Sequence, residues 1–224
     1  MNTAFTTRPS WAPETIPPIA DIQTANVFES SHPSLNAQQL AALKPLTGPT
    51  LINSGAGTGK STVMVARMKA IRREFPKAKV LMMTFSRKVA LELKSRIGLT
   101  PNCQVSTFHS IAYHLLMDNG FRQYRIDTNE DSRDQLISKL IGNEDTTIEK
   151  IVRSLIRLSD TDNATEKVRA KYFKALSKNK VLTFDAMQPF ALKLLQRKNN
   201  VLHQLQSTWD FILVDEYQDT DEVQ

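Results

Sequence analysis

Cysteine is nearly absent: Cys103 is the only one in 224 residues. One thiol excludes an intramolecular disulfide and a cysteine-based zinc site, so Cys103 reads as a small core or strand residue. Long apolar runs are missing too. None approaches the roughly 20 residues of a membrane-spanning helix. The N-terminus lacks the basic-then-apolar pattern of a secretory leader, so the expectation is a cytoplasmic protein with no membrane partner. Acidic side chains are scarce over residues 63–96, where ten Lys/Arg stand against two Glu. That local excess, within an overall formal charge of +6, points to an anionic partner. A charge run by itself more often marks a solvated helix face. Glycine is rare, seven in all, and three of the seven stand at 55, 57 and 59.

Those three glycines belong to the stretch around which the chain is organised, Leu51 to Thr62. A short apolar lead-in, Leu51-Ile52-Asn53, predicts a strand. Ser54-Gly55-Ala56-Gly57-Thr58-Gly59 follows as a turn, and Lys60-Ser61-Thr62 opens a helix with apolar positions at Val63, Val65, Ala66, Met68 and Ile71. Strand, glycine-rich turn and helix start make a phosphate-cradling P-loop. Glycines let backbone N–H groups approach an anion and admit positive φ. The helix start adds a partial positive charge and unpaired donors. Lys60 supplies a full charge for β/γ-phosphates, and the Ser61 hydroxyl suits Mg²⁺. Ser54 stands where the strict pattern has glycine, and its small side chain still fits. The expected ligands are ATP and Mg²⁺, with residues 54–62 as the cradle.

Around this centre the chain reads in order. Residues 1–34 hold five of the ten prolines and no helical or alternating pattern, an extended arm that Trp11 and Phe28 could pin to the body. Ser34 to Leu43 reads as a capped helix. The P-loop helix should run from Lys60 to Glu74. Lys79–Phe85 is a near-continuous apolar run, typical of a strand buried on both faces of a parallel sheet. A helix over 88–97, a strand over 103–108 and a helix over 109–117 follow. Alternating strands and helices predict an α/β fold with a parallel sheet. From 118 to 207 the pattern turns helical, with helices expected at 131–141, 147–158, 164–176 and 185–197, the last carrying Pro189 early. This stretch reads as a helical insertion. Phe211-Ile212-Leu213-Val214 returns to strand and ends in Asp215-Glu216. Beside a P-loop, such a pair suits an ATPase: Asp215 to hold Mg²⁺, directly or through water, and Glu216 to orient or deprotonate the attacking water. Alone it would read as a strand running into a solvated acidic turn.

Together these segments resemble superfamily 1 DNA helicases of the UvrD/Rep type. Leu35-Asn36-Ala37-Gln38-Gln39 is similar to that family's Q motif, which makes Gln39 the adenine reader. Ser54 to Thr62 resembles its first motif. Thr84-Phe85-Ser86-Arg87-Lys88-Val89-Ala90 resembles an element often written Thr-Phe-Thr-Asn-Lys-Ala-Ala that contacts single-stranded DNA, with Arg87 in place of Asn. Val105-Ser106-Thr107-Phe108-His109-Ser110 resembles the next motif, Thr-Phe-His. Asp215-Glu216-Tyr217-Gln218-Asp219 resembles Asp-Glu-Phe-Gln-Asp. The resemblance runs from about Leu35 to the last residue, in order and in register.

It implies a RecA-like P-loop domain, residues 35–117 and 208–224, interrupted by a helical 1B insertion over 118–207. It implies Lys60, Glu216 and Gln218 as catalytic residues, and Ser61, Asp215 and Glu216 around the metal. Single-stranded DNA would meet Phe85, Ser86, Arg87, Thr107, Phe108 and His109. Aromatic rings at the carboxyl ends of adjacent strands can stack on bases while Arg87, Lys88 and His109 meet phosphates. In that family a second RecA-like lobe carries further motifs, including an arginine that completes the ATP site, and no segment of these 224 residues matches them. The strand that would pair with the P-loop strand is also unmatched, so a partner covering an open sheet edge is expected. These 224 residues alone should therefore bind ATP and DNA without unwinding. The alternative is a stand-alone nucleotide- or DNA-binding regulatory module with no motor activity.

Overall fold

The computed structural model describes residues 35–44, 48–53, 55, 57–98, 102–157 and 161–224. The proline-rich arm, with Trp11 and Phe28, lies outside these residues, as do Ser54 and Ala56. Helix α1 (Ala37–Ala41) opens on Asn36, whose side chain accepts from the Gln39 N–H while the Gln39 side chain accepts from the Asn36 N–H. This reciprocal capping box fixes the start two residues later than the apolar pattern suggests. Helix α2 (Lys60–Glu74) follows the P-loop with the expected bounds. Strand β1 (Val80–Thr84), helix α3 (Arg87–Ile97), strand β2 (Cys103–Thr107) and helix α4 (Phe108–Leu116) come next. Beyond a π-type turn lie β3 (Arg125–Asp127), α5 (Glu130–Ile141), α6 (Ile148–Ile156), α7 (Asn163–Asn179), β4 (Val181–Thr183), α8 (Phe184–Arg197), α9 (Asn199–Thr208) and β5 (Phe211–Val214).

The main sheet is parallel, in the order β2-β1-β5. Its register pairs Met82 with Val105 and Leu213, so β1 is central. Val80, Leu81 and Met82 are buried, as a strand covered on both faces requires. The fold is therefore α/β with a parallel sheet, and a helical body interrupts it. Two separate apolar cores result. The first joins Val63, Met68 and Ile71 of α2, Leu93 of α3 and Val80 and Met82 of β1. The second joins Leu116 of α4 to Ile137, Ile151, Leu155, Tyr172 and Leu176 of α5–α7 and to Leu182 of β4. Helix α4 bridges them, because it starts at the end of β2 and buries Ala112 and Leu116 in the second core.

Besides the later start of α1 and the unexpected helix α9, the structure departs from expectation in three places. Leu51–Asn53 is not a strand. It pairs with no strand among the described residues, and Leu51 is 77% exposed. Among the described residues the outer edges of both β2 and β5 are unpaired, and the P-loop segment forms no strand of its own. Second, β3 and β4 pair in parallel, Arg125 with Val181 and Asp127 with Thr183. Strands of three residues carry no periodic signal long enough to read. Third, α8 begins at Phe184, which makes Pro189 its sixth residue. It lies beyond the first turn, where a proline removes a backbone bond.

Candidate nucleotide and nucleic-acid site

The P-loop turn is built by glycine. Gly57 and Gly59 have φ of 73° and 89°, in the left-handed region that side chains disfavour. The Thr58 hydroxyl donates to the Gly55 carbonyl at 2.7 Å and closes the turn. Gly59 caps α2 with no side chain, so the first N–H groups of that helix keep their donors for an anion. Lys60 Nζ lies 3.2 Å from Glu216 Oε2. Gln218 Nε2 donates to the same oxygen at 2.6 Å. Glu216 itself has φ of 49°, a strained value for a non-glycine residue.

The two neighbouring carboxylates are driven apart. Asp215 is 4% exposed, and its N–H donates to the Met83 carbonyl at 2.8 Å. Burial and then the charge of Glu216 push its carboxyl up, against a backbone N–H bond and Lys60. Hydrogen bonds from Gln218 and Lys60 hold Glu216 below the usual carboxylate range. A cavity of about 200 Å³ is lined by Ser61, Asp215, Glu216 and Asp219 together with Phe85, Ser86 and Glu92. The polar side-chain atoms of Ser61, Asp215, Glu216 and Asp219 are all oxygens. A hydroxyl and one or two carboxylates leaving room for phosphate is the set that Mg²⁺ takes, so these residues fit that ion.

The aromatic residues stand where the sheet ends. Phe85 follows β1, and its ring lies 5.2 Å from that of Phe108, which follows β2. Phe85 is 37% exposed and Phe108 is buried behind it at 8%. Ser86 and Arg87 are exposed, and the buried Thr107 caps α4 through the Ser110 N–H. His109 stacks on Phe184 of α8, with centroids 3.9 Å apart and planes within 6°. Its Nδ1 lies 3.1 Å from Gln188 Nε2. Gln188 in turn accepts from Gln224 through Oε1. An amide nitrogen only donates, so Nδ1 accepts and the neutral ring carries its proton on Nε2. Burial holds His109 below the usual imidazole value, against the pull of Asp185 and Asp221.

Residues 35–157 and 135–224 match the UvrD/REP helicase N-terminal domain family. The chain belongs to that family. Its relatives include a probable DNA helicase II homolog of Mycoplasma capricolum, 26% identical over 85% of this chain and 31% of the relative. Another, from Rickettsia felis, is 28% identical over 85% of this chain and 34% of the relative. The ATP-dependent DNA helicase PcrA of Staphylococcus aureus is 30% identical over 85% of this chain and 30% of the relative. The chain thus spans about a third of the length of the curated relatives it matches.

Within this UvrD-type domain the structure places Gln39 against the P-loop. Its Nε2 donates to the Thr58 carbonyl at 2.9 Å and its Oε1 accepts from Asn36. A Cβ added at Gly59 would meet that Nε2 at 2.9 Å, so glycine also makes room for Gln39. Two contributors lie outside the motifs read from the sequence. Arg67 of α2 is buried and donates to the Ala42 carbonyl and the Thr50 hydroxyl, tying α1 and the lead-in to the P-loop helix. Phe184, 48% exposed, joins the aromatic surface by packing α8 on α4. A sequence signal existed for it. Thr-Phe occurs three times, at 84–85, 107–108 and 183–184, each time where a strand runs into a helix. Among the described residues no helix is long and apolar enough to cross a membrane.

Proposed function

We propose that this chain is the ATP-binding part of a UvrD-like 3′-to-5′ DNA helicase or translocase, residues 35–117 and 208–224 forming the RecA-like domain and 118–207 the 1B insertion. The observation that carries this reading is the shared cavity. Ser61, Asp215 and Glu216 line it together with Phe85 and Ser86, so nucleotide chemistry and the nucleic-acid motif meet in one space. A bound Mg²⁺ would supply charge neutralisation of the phosphates, held by Ser61 and Asp215.

The chain's own residues divide the work. Lys60, paired with Glu216 at 3.2 Å, exchanges that partner for the β/γ-phosphates. The open N–H groups of the P-loop and α2 receive phosphate oxygens. Glu216, kept ionised, accepts a hydrogen bond from the attacking water and takes its proton, while Gln218 fixes the carboxylate. Gln39, already against Thr58, reads the adenine edge. On the other side Phe85 offers its exposed ring to a base, with Phe108 as its backing. The Nε2–H of His109 and the side chain of Arg87 reach for phosphates, and Phe184 extends the stacking surface. A second RecA-like lobe and a strand along the edge of β5 are the partners this reading requires.

The test is a titration of the 224-residue chain with Mg·ATP. Lys60→Ala removes the phosphate-facing charge and should weaken binding roughly a hundredfold, about 2.7 kcal/mol. Equal affinity in the two proteins would overturn the assignment.

A further inference from the structure

Helix α3 starts immediately after Phe85-Ser86 and ends beside the P-loop helix. Its eleven residues span about 16 Å at 1.5 Å each. Ala90, Leu93 and Ile97 form its buried stripe and fix it to the first core. A different pair, Glu92 and Arg96, makes an i,i+4 bridge at 3.7 Å. Arg96 does more than pair with Glu92. Its Nη2 donates to the Thr62 hydroxyl at 2.8 Å, across 34 positions of sequence. Thr62 is the third residue of α2 and directly follows Ser61. Glu92 lines the same cavity as Ser61 and Asp215. One rigid helix therefore touches the nucleic-acid motif at its first turn and the phosphate-binding turn at its last.

We propose that Arg96 is a positioning residue that couples nucleic-acid occupancy at Phe85–Arg87 to nucleotide binding at Ser61–Thr62, with Glu92 steering its guanidinium. The inference rests on the nucleotide and DNA sites proposed above. A nucleic-acid strand seated on Phe85 and Arg87 shifts the start of α3. The stripe packed on the core makes the helix move as a unit, because a close-packed interface passes on displacement rather than absorbing it. Arg96 moves with it and repositions the first turn of α2 through the Thr62 hydroxyl. Coupling of this kind is reciprocal: nucleotide must change DNA affinity by the same factor. A charged donor on a hydroxyl at 2.8 Å is directional enough to carry such a shift, whereas the exposed Glu92–Arg96 pair alone is not.

The experiment uses the 224-residue chain, a fluorescent ADP analogue with Mg²⁺, and oligo(dT). Nucleotide affinity is measured with and without saturating oligo(dT), and oligo(dT) affinity with and without nucleotide. In the wild type the shift should be on the order of fivefold or more, and equal in both directions. Arg96→Met keeps the length of the side chain and loses the donor. It should leave each ligand's separate affinity within about threefold and reduce the shift to less than about twofold. Arg96→Lys, which keeps a donor, should recover part of the shift, and Glu92→Gln should lose part of it. An Arg96→Met protein that retains the full shift overturns the proposal. So does one that loses nucleotide affinity equally with and without oligo(dT), because that marks a merely structural role. A wild-type chain that binds both ligands without any shift also overturns it and leaves the binding sites standing. A chain that binds neither ligand removes the proposed function, and this inference falls with it.

Discussion

The P-loop helix α2 and the insertion helices α5, α6 and α7 start in opposite ways, and the difference bears on what each start is for. In the insertion, α5, α6 and α7 open on Asn129, Thr147 and Asp162, each of which accepts backbone N–H bonds through its side chain. Helices α2 and α3 open on Gly59 and Ser86 with no side-chain cap, whereas α1 and α4 on the same side are capped by Asn36 and Thr107, and α8 of the insertion opens uncapped on Thr183. Capping satisfies donors that an uncapped start leaves for a ligand. Core chemistry follows the same division. The Tyr172 hydroxyl shares a 2.8 Å bond with Thr183, and burial pushes the Tyr172 phenol up to about 12. Arg133 bonds Asp134 at 2.7 Å and Asp185 at 2.6 Å. The P-loop side keeps a buried Asp215, a left-handed Glu216 and an unpaired edge on β5, while the left-handed Lys180 ends α7 in the insertion as a helix cap. At the site, strain of this kind is what a bound ligand can offset.

The largest effect expected from this contrast is on stability. Leu155 is fully buried in the second core, so Leu155→Ala should cost about 2–5 kcal/mol of unfolding free energy. Denaturant melts would read that loss. Below the transition, the nucleotide affinity of the folded protein should stay within about twofold of wild type, because distant sites are nearly independent. A Leu155→Ala protein that is folded but no longer binds nucleotide would erase the distinction between the two regions.

A smaller effect tests the seam between them. Phe184 belongs to the insertion in sequence and to the aromatic surface in space. It is half exposed, so Phe184→Ala should fold normally and lose oligo(dT) affinity about tenfold, near 1.4 kcal/mol. Phe85→Ala should behave alike. Phe108→Ala removes a buried ring and should lower stability as well as affinity. Unchanged oligo(dT) binding by both Phe85→Ala and Phe184→Ala would place the nucleic acid elsewhere.

Legibility in the sequence follows the same line. The bounds of α2, the central strand β1 and the pair Asp215-Glu216 were readable because each has a local cause: a glycine turn, a continuous apolar run, a strand ending in carboxylates. The lead-in Leu51–Asn53 misleads because a strand also needs a neighbour, and apolar character says nothing of one. The β3–β4 pair and helix α9 lack a long enough pattern. Arg67 and Arg96 read as members of a basic run, which usually marks a solvated face. Their roles come from contacts 25 and 34 positions away. Phe108 reads as a surface ring from its motif, and its position behind Phe85 is visible only in three dimensions.

The smallest effect concerns Asp215 and carries a sign. Its unfolded-state pKa is near 3.9, and burial together with Glu216 raises it in the folded chain. The native state then binds more protons than the unfolded state at pH values from the unfolded pKa up to the folded one. Stability from this group therefore falls as pH rises through that window, and above it the charged Asp215 is a standing cost to the ligand-free fold. Asp215→Asn has the same shape and no charge. At neutral pH without Mg²⁺ it should be more stable than wild type by about 0.5–1 kcal/mol, the usual yield of relieving a functional site. The gain should shrink toward zero as pH drops below the unfolded pKa, where wild-type Asp215 is protonated in both states. Mg·nucleotide should reverse the order, because a ligand that binds only the native state stabilises in proportion to its affinity, and the variant has lost a carboxylate. Thermal melts across pH, with and without Mg·nucleotide, read all three effects. A variant less stable than wild type at neutral pH, or a gain that ignores pH, would show that Asp215 is held by its surroundings rather than kept waiting for a cation.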